Sequence, residues 1–215
     1  MNPPIVTVID YGVGNLLSVQ RGFEKCGAKV ILTSNPDLIA SAERVVLPGV
    51  GAFPKAMAAL AQLNLISVIK EIGQSNKPLL AICLGMQLLL DESTEFGVTA
   101  GLGLISGRVT KIPIDTTNKN QQKIPHIGWN SLTPSYKLRN WENTLLQDNA
   151  VDDAVYFVHS FMAEPINQYN RIADVIYGGQ NIPAVISKDQ ITGCQFHPEK
   201  SGKVGLKILN RFLLQ

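Results

Sequence analysis

Apolar residues along this chain fall into two patterns that alternate with one another. Short unbroken runs at Ile5–Ile9, Lys29–Leu32, Arg44–Leu47 and Leu79–Ile82 predict buried strands. Between them, Leu16–Lys25, Phe53–Leu60 and Leu65–Ile72 carry apolar residues at helical spacing, the first closed by Gly27, and Ser34-Asn35-Pro36 reads as a further helix start. Strands without polar alternation need a sheet covered on both faces, so the first half predicts βαβ units on a parallel central sheet. Beyond about Gly101 the grammar changes. Arg108–Ile112, Trp129–Leu132, Ala154–His159, Ile172–Tyr177, Ala184–Lys188 and Ile191–Phe196 follow one another as strands with few helices between, which predicts antiparallel additions as an edge or a second sheet. Asp115–Lys123 is uniformly polar and reads as an exposed loop. After Ser201, a candidate cap, Val204, Ile208, Leu209 and Phe212 predict a closing amphipathic helix. The expectation is one α/β domain spanning 1–215.

At 215 residues, 45% hydrophobic and 17% charged, the chain has the apolar surface for a large core and too little charge for disorder. Its formal net charge of +2 is spread without blocks, so neither a nucleic-acid footprint nor a polybasic membrane patch is expected. The start has no basic region ahead of Ile5–Ile9, and Pro78–Leu90 is interrupted by Gly85 and Gln87, so the expected location is cytoplasmic with no membrane partner. Cys26, Cys83 and Cys194 have no C-x-x-C spacing, and the histidines are scattered. No disulfide framework, metal site or organic cofactor is expected.

Leu79-Leu80-Ala81-Ile82-Cys83-Leu84-Gly85-Met86-Gln87 sets a cysteine where an apolar strand hands over to a helix, with small residues two before and two after. That is the pattern of a nucleophile elbow, in which a tight turn projects the side chain above the sheet and free helix N–H groups favour a thiolate. The plain alternative is an inert buried thiol, which position in an apolar run alone would favour. The balance shifts with Gln195-Phe196-His197-Pro198-Glu199 at the end of the last strand, where alternation would turn Glu199 and His197 the same way, acid behind base. A third feature, Leu47-Pro48-Gly49-Val50-Gly51-Ala52-Phe53, can offer backbone N–H groups to a developing oxyanion, although alone it would be an ordinary βα turn. Three such features at one edge of a parallel sheet point to a thiol-dependent active site.

These residues resemble the class I, triad-type glutamine amidotransferases, whose catalytic Cys, His and Glu correspond to Cys83, His197 and Glu199. The resemblance runs from Ile5 to the last helix. It sharpens through Asp10-Tyr11-Gly12-Val13-Gly14-Asn15, Pro48-Gly49-Val50-Gly51-Ala52-Phe53, Pro125-His126-Ile127-Gly128-Trp129-Asn130 and Tyr156-Phe157-Val158-His159-Ser160 to the branch formed by the glutaminase subunits of imidazole glycerol phosphate synthases. Phe161, where relatives often carry Tyr, and Cys194 depart from that pattern.

The resemblance implies a flavodoxin-like sheet and hydrolysis of glutamine to glutamate and ammonia. It assigns the oxyanion hole to Leu84 and the Val50-Gly51 loop, and glutamine binding to Gly49, Gln87, Glu95, His159, Ser160 and Phe161. It further implies a heterodimer with a (β/α)8-barrel cyclase that receives the ammonia for histidine biosynthesis, with His126, Trp129, Asn130, Tyr156 and Lys200 at the interface. A Val50 peptide flanked by glycines can flip, which would let a loaded partner complete the oxyanion hole. A paralogous glutaminase subunit serving another synthetase shares the triad and the fold, so the residues leave that reading open. A cysteine hydrolase of another kind would have no use for Gln87 or the His-Ser pair, and an idle binding subunit would have no use for an intact triad.

Overall fold

The computed structural model describes residues 2–114, 123–138 and 140–215. The expected polar loop lies outside them except for Lys123, whose carbonyl accepts a hydrogen bond from the Tyr177 hydroxyl at 2.6 Å. The first half alternates as expected: β1 (Ile5–Ile9), α1 (Leu16–Lys25), β2 (Lys29–Thr33), α2 (Pro36–Ala40), β3 (Val45–Gly49), α3 (Phe53–Gln62), α4 (Leu65–Gln74), β4 (Leu79–Cys83) and α5 (Leu84–Leu88). The second half contributes β5 (Glu92–Ser93), β6 (Thr99–Ala100), β7 (Gly107–Lys111), β8 (His126–Ser131), β9 (Thr133–Pro134), β10 (Ala154–His159), β11 (Phe161–Pro165), β12 (Arg171–Tyr177), β13 (Gln180–Lys188), β14 (Ile191–Cys194) and α6 (Gly202–Leu213).

An eight-stranded sheet runs β2-β1-β3-β4-β14-β13-β12-β9. Its first five strands are parallel, in the 2-1-3-4-5 arrangement of flavodoxin-like sheets, and β13, β12 and β9 extend it antiparallel. Alternate residues of each parallel strand feed opposite faces. Val6, Val8, Val46, Leu80 and Ile82 pack under α1 and α6, where Phe23 meets Phe212 at 5.9 Å between ring centroids. Val45, Leu47, Leu79 and Ala81 face α3, α4 and α5. This two-sided cover is why the strands read as continuous apolar runs.

Two smaller sheets complete the fold: the antiparallel pair β8–β10 and the four-stranded β11-β7-β5-β6. The second half is therefore both an added edge and separate sheets. The sequence pattern missed β5, β6, β9 and β11, which are short or carry charge and proline, as in the Glu164-Pro165 end of β11. No single helix among the described residues is long and apolar enough to cross a membrane.

Three local expectations are corrected. The strand expected to stop at Leu47 continues through Pro48 and Gly49, which pair with Ile82 and Cys83. The last strand ends at Cys194, two residues early, because the chain bends at Gln195 and folds Pro198–Lys200 into a 3-10 turn. Ser201 stands at the N-terminus of α6 but does not cap it: its hydroxyl donates to the His197 carbonyl at 2.7 Å and accepts from the Tyr156 N–H at 3.0 Å, tying the 3-10 turn to β10.

Candidate active site

The carboxyl ends of β3 and β4, together with the chain leaving β14, meet at one edge of the main sheet. Cys83 sits at the handover from β4 to α5 with φ +56° and ψ −112°, a conformation that L residues rarely adopt and that local packing must impose. The packing is visible at Gly85: a β-carbon there would lie 2.0 Å from the Leu47 carbonyl oxygen, so only glycine lets α5 start this close to β3. The turn leaves Cys83 6% exposed at the floor of a cavity of about 440 Å³.

His197 and Glu199 are both buried, and His197 Nδ1 lies 2.7 Å from a Glu199 carboxylate oxygen. Strand alternation does not bring them together, since Glu199 belongs to the 3-10 turn; the turn folds the carboxylate back under the ring. Two glycines clamp that turn. A β-carbon on Gly22 of α1 would come within 3.3 Å of the Glu199 β-carbon, and one on Gly205 of α6 within 1.8 Å of the Pro198 carbonyl oxygen.

Burial pushes the His197 pKa down, but hydrogen bonding and charge from Cys83 and Glu199 outweigh it and raise the pKa to about 10. The Nε2 atom is buried and has no well-aligned hydrogen-bond partner, which leaves it available on the Cys83 side. The sign for stability follows from the raised value. His197 contributes fully below its ordinary titration near pH 6.5, and the contribution is lost as pH rises toward 10. We expect the wild-type melting temperature to fall between pH 6.5 and 10, and to fall less in Glu199→Gln, which removes one of the raising partners; thermal unfolding at both ends of that range checks it.

The cavity is lined by Val50, Gly51, Leu84, Gln87, Glu95, His159, Ser160 and Phe161, joined by Lys200, Pro125 and Val158. Gly51 adopts φ +88°, so the Val50-Gly51 peptide lies on the glycine-permissive part of the loop. Glu95 also accepts from the Phe53 N–H at 2.7 Å, capping the start of α3 beside the loop. Gly49 is not in the cavity wall. It is wedged behind it, where a β-carbon would meet the Gly85 nitrogen at 2.8 Å and the Tyr11 hydroxyl at 2.9 Å.

Sequence reasoning missed two neighbours. Tyr11 donates to the Pro48 carbonyl at 2.8 Å, and burial first, then the charge of Cys83, drives its pKa up. Gln195 accepts from Gln87 at 2.9 Å and turns its amide nitrogen to the Cys83 sulfur at 3.9 Å. Its position two residues before His197 was the available signal. Cys194 is wholly buried, and burial, then the charge of Glu199, pushes its thiol pKa up.

Of the residues expected at a partner interface, Trp129 is 56% exposed and packs edge-on against Tyr156 at 6.0 Å. Lys200 is exposed, and Asn130 and Tyr156 are half-buried. The exception is His126, which is 1% exposed because it stacks between Phe157 and Tyr177; no surface contact can be assigned to it. Alternation along β8 and β10 instead sends Ile127, Trp129, Tyr156 and Val158 to one outer face. Among the described residues, no three His, Cys, Asp or Glu side chains converge as a metal site would require.

The chain matches the family described as Glutamine amidotransferase class-I over residues 7–215. It is 53% identical over 208 residues to the Legionella pneumophila (strain Lens) protein named imidazole glycerol phosphate synthase subunit HisH 1, covering 97% of this chain and 98% of that protein. A Geobacillus thermodenitrificans protein named as the HisH subunit of the same synthase is 43% identical over 209 residues, covering 97% and 95%. Among solved structures, PurLQS from Thermotoga maritima superposes with a TM-score of 0.72 at 17% identity, covering 100% of this chain and 98% of that one. A crystal structure of a glutamine amidotransferase superposes with a TM-score of 0.70 at 13% identity, covering 97% and 96%. At those identities the structures bear on the fold alone.

Proposed function

We propose that this chain, which belongs to the class I glutamine amidotransferase family, is the glutaminase subunit of an imidazole glycerol phosphate synthase, hydrolysing glutamine and delivering ammonia to a barrel cyclase docked over the site. The observation that carries the reading is the cavity that joins Cys83, at a strained strand-to-helix turn, to the buried His197–Glu199 pair. The names of the full-length relatives favour this acceptor over that of a paralogous synthetase.

In this reading the Cys83 sulfur attacks the carboxamide carbon of glutamine. The oxyanion is received by N–H groups of Leu84 and of the Val50-Gly51 loop. His197 supplies the proton with which ammonia leaves, then takes one from the water that cleaves the thioester and releases glutamate. Glu199 holds the ring and favours its charged form. Gln87, Glu95, His159, Ser160 and Phe161 surround the amino-acid end of the substrate. Ammonia stays unprotonated only away from water, so an acceptor must cover the cavity mouth. The outer face formed by Ile127, Trp129, Tyr156 and Val158 adjoins that mouth through Val158 and suits an apolar partner surface.

The test is glutamate release by the purified chain, alone and with its cognate cyclase and nucleotide ligand. Strong stimulation supports the reading and the gating of the Val50-Gly51 peptide. Equal rates with and without the loaded partner would overturn the gating, and no hydrolysis in either state would overturn the glutaminase. We expect Trp129→Ala to cost about 2 kcal/mol of cyclase binding, roughly thirtyfold in Kd, as truncation of a central aromatic anchor does. Titration calorimetry reads that loss.

A further inference from the structure

An unbroken hydrogen-bonded chain crosses from the outer strand β8 to the cavity wall. The Asn130 side-chain nitrogen lies 2.7 Å from His126 Nε2, His126 Nδ1 lies 3.0 Å from His159 Nε2, and His159 Nδ1 lies 2.8 Å from the Phe161 carbonyl oxygen. The same carbonyl accepts from the Gln87 amide at 3.0 Å, and Gln87 donates in turn to Gln195 beside Cys83.

The polarity of this chain follows from its inner end. A carbonyl can only accept, so His159 carries its proton on Nδ1 and offers a bare Nε2. His126 must then donate from Nδ1, which leaves its Nε2 to accept from Asn130. Were either ring reversed, two lone pairs or two protons would face each other at 3.0 Å. Both rings are buried, His126 at 1% and His159 at 6% exposed. Desolvation lowers the His126 pKa to about 4 and, with repulsion from His126 and His197 added, the His159 pKa to about 3, so both are neutral at pH 7.

We propose that Asn130, His126 and His159 form a one-directional relay of fixed tautomers that holds the Ser160-Phe161 wall of the glutamine pocket from strand β8, making His126 and His159 positioning residues for substrate. The inference rests on the glutaminase reading. It explains why His126, buried too deeply for a partner to touch, is nonetheless tied to the strand that presents Trp129. It also gives the Phe161 carbonyl two donors, which fixes the backbone where β10 passes into β11.

Because the chain contains 3 histidines, long-range ¹H–¹⁵N spectra of the whole protein can resolve each ring. The expected result is a neutral ring protonated on Nδ1 at both His126 and His159, unchanged from pH 6 to 8. Protonation of either on Nε2 alone, or titration in that interval, would overturn the relay. For function, His126→Phe keeps the stack on Phe157 and Tyr177 but removes the donor. In the cyclase complex its KM for glutamine should rise about tenfold with kcat changed less than about twofold, and His126→Asn, which restores a donor, should recover most of the loss. A folded His126→Phe with wild-type KM would overturn the positioning role. If His126→Phe does not fold, Asn130→Ala removes only the outer donor: the inner end still keeps both rings on Nδ1, while the slackened wall should raise the KM for glutamine about threefold with kcat changed less than about twofold. A His126 ring shifted to Nε2 in that variant, or a wild-type KM, would count against the relay. Absence of hydrolysis by the wild-type complex would overturn the glutaminase reading and the wall-positioning role with it, while the tautomers are decided by the spectra.

Discussion

Replacing Cys83 with glycine or alanine is expected to abolish glutamine hydrolysis, by at least about a thousandfold, and to leave the fold intact. The two variants should then separate in stability in the reverse of the usual order. Glycine normally destabilises relative to alanine through the entropy of the unfolded chain, by about 0.5–1 kcal/mol. At φ +56° and ψ −112° the balance inverts, because alanine keeps the β-carbon that makes this conformation costly, by about 1–3 kcal/mol. Cys83→Gly should therefore be the more stable of the pair by about 1 kcal/mol. Both variants lose the same sulfur and its contacts, so the comparison isolates the backbone. Chemical denaturation of the two, beside a glutamate-release assay, decides it. An alanine variant more stable than the glycine variant by about 0.5–1 kcal/mol would mean that the elbow stores no strain, and residual turnover near the wild-type rate would remove Cys83 from the chemistry.

That strain marks where local sequence rules stop being informative. The parallel strands were legible because each is covered on both faces and so carries an apolar run, and α1 and α6 because Val19, Phe23, Ile208, Leu209 and Phe212 recur at helical spacing. Strands that are very short or lie at an edge gave no such signal. Glu92–Ser93 and Thr133–Pro134 are two residues long, and Phe161–Pro165 is held by pairing with β7, which periodicity does not register. The mostly antiparallel nature of the second half was visible in strand spacing, but the return of β14 to lie parallel to β4, the parallel pairing of β5 with β7 and the division among three sheets depend on contacts between segments far apart in the chain.

For the site, the order of Cys83, His197 and Glu199 was readable, while the means of joining them was not. An extended Gln195–Glu199 segment accounts for the acid–base pairing on paper, yet the contact is made by a 3-10 turn that Gly22 and Gly205 allow to sit flush against α1 and α6. Nothing near His197 in sequence announces a glycine on the first helix. His126 is the converse. Its neighbours Ile127 and Trp129 do face outward, and strand alternation, applied consistently, would have turned His126 inward with Gly128 and Asn130.

Gly85→Ala is expected to be among the most damaging single methyl additions near the site. The added β-carbon would lie 2.0 Å from the Leu47 carbonyl oxygen and 3.0 Å from the carbon of the same peptide, so the clash is with backbone of the central strand β3 and no side chain can swing away. Relief requires α5 to lift from the sheet. That moves Leu84, the donor assigned to the oxyanion, and shifts the turn at Cys83 and the Val50-Gly51 loop that follows β3. We expect a loss of about 3 kcal/mol or more, which for a chain of this size lowers the melting temperature by about 10 °C. Alkylation of Cys83 separates the two consequences. If the turn opens, a small reagent such as iodoacetamide should reach the sulfur at least as fast as in the wild type, while a glutamine analogue that depends on the oxyanion hole should react far more slowly. A melting temperature within about 2 °C of wild type, with both reagents unaffected, would mean that the helix yields at little cost and that the closeness of α5 to β3 is not what shapes the site.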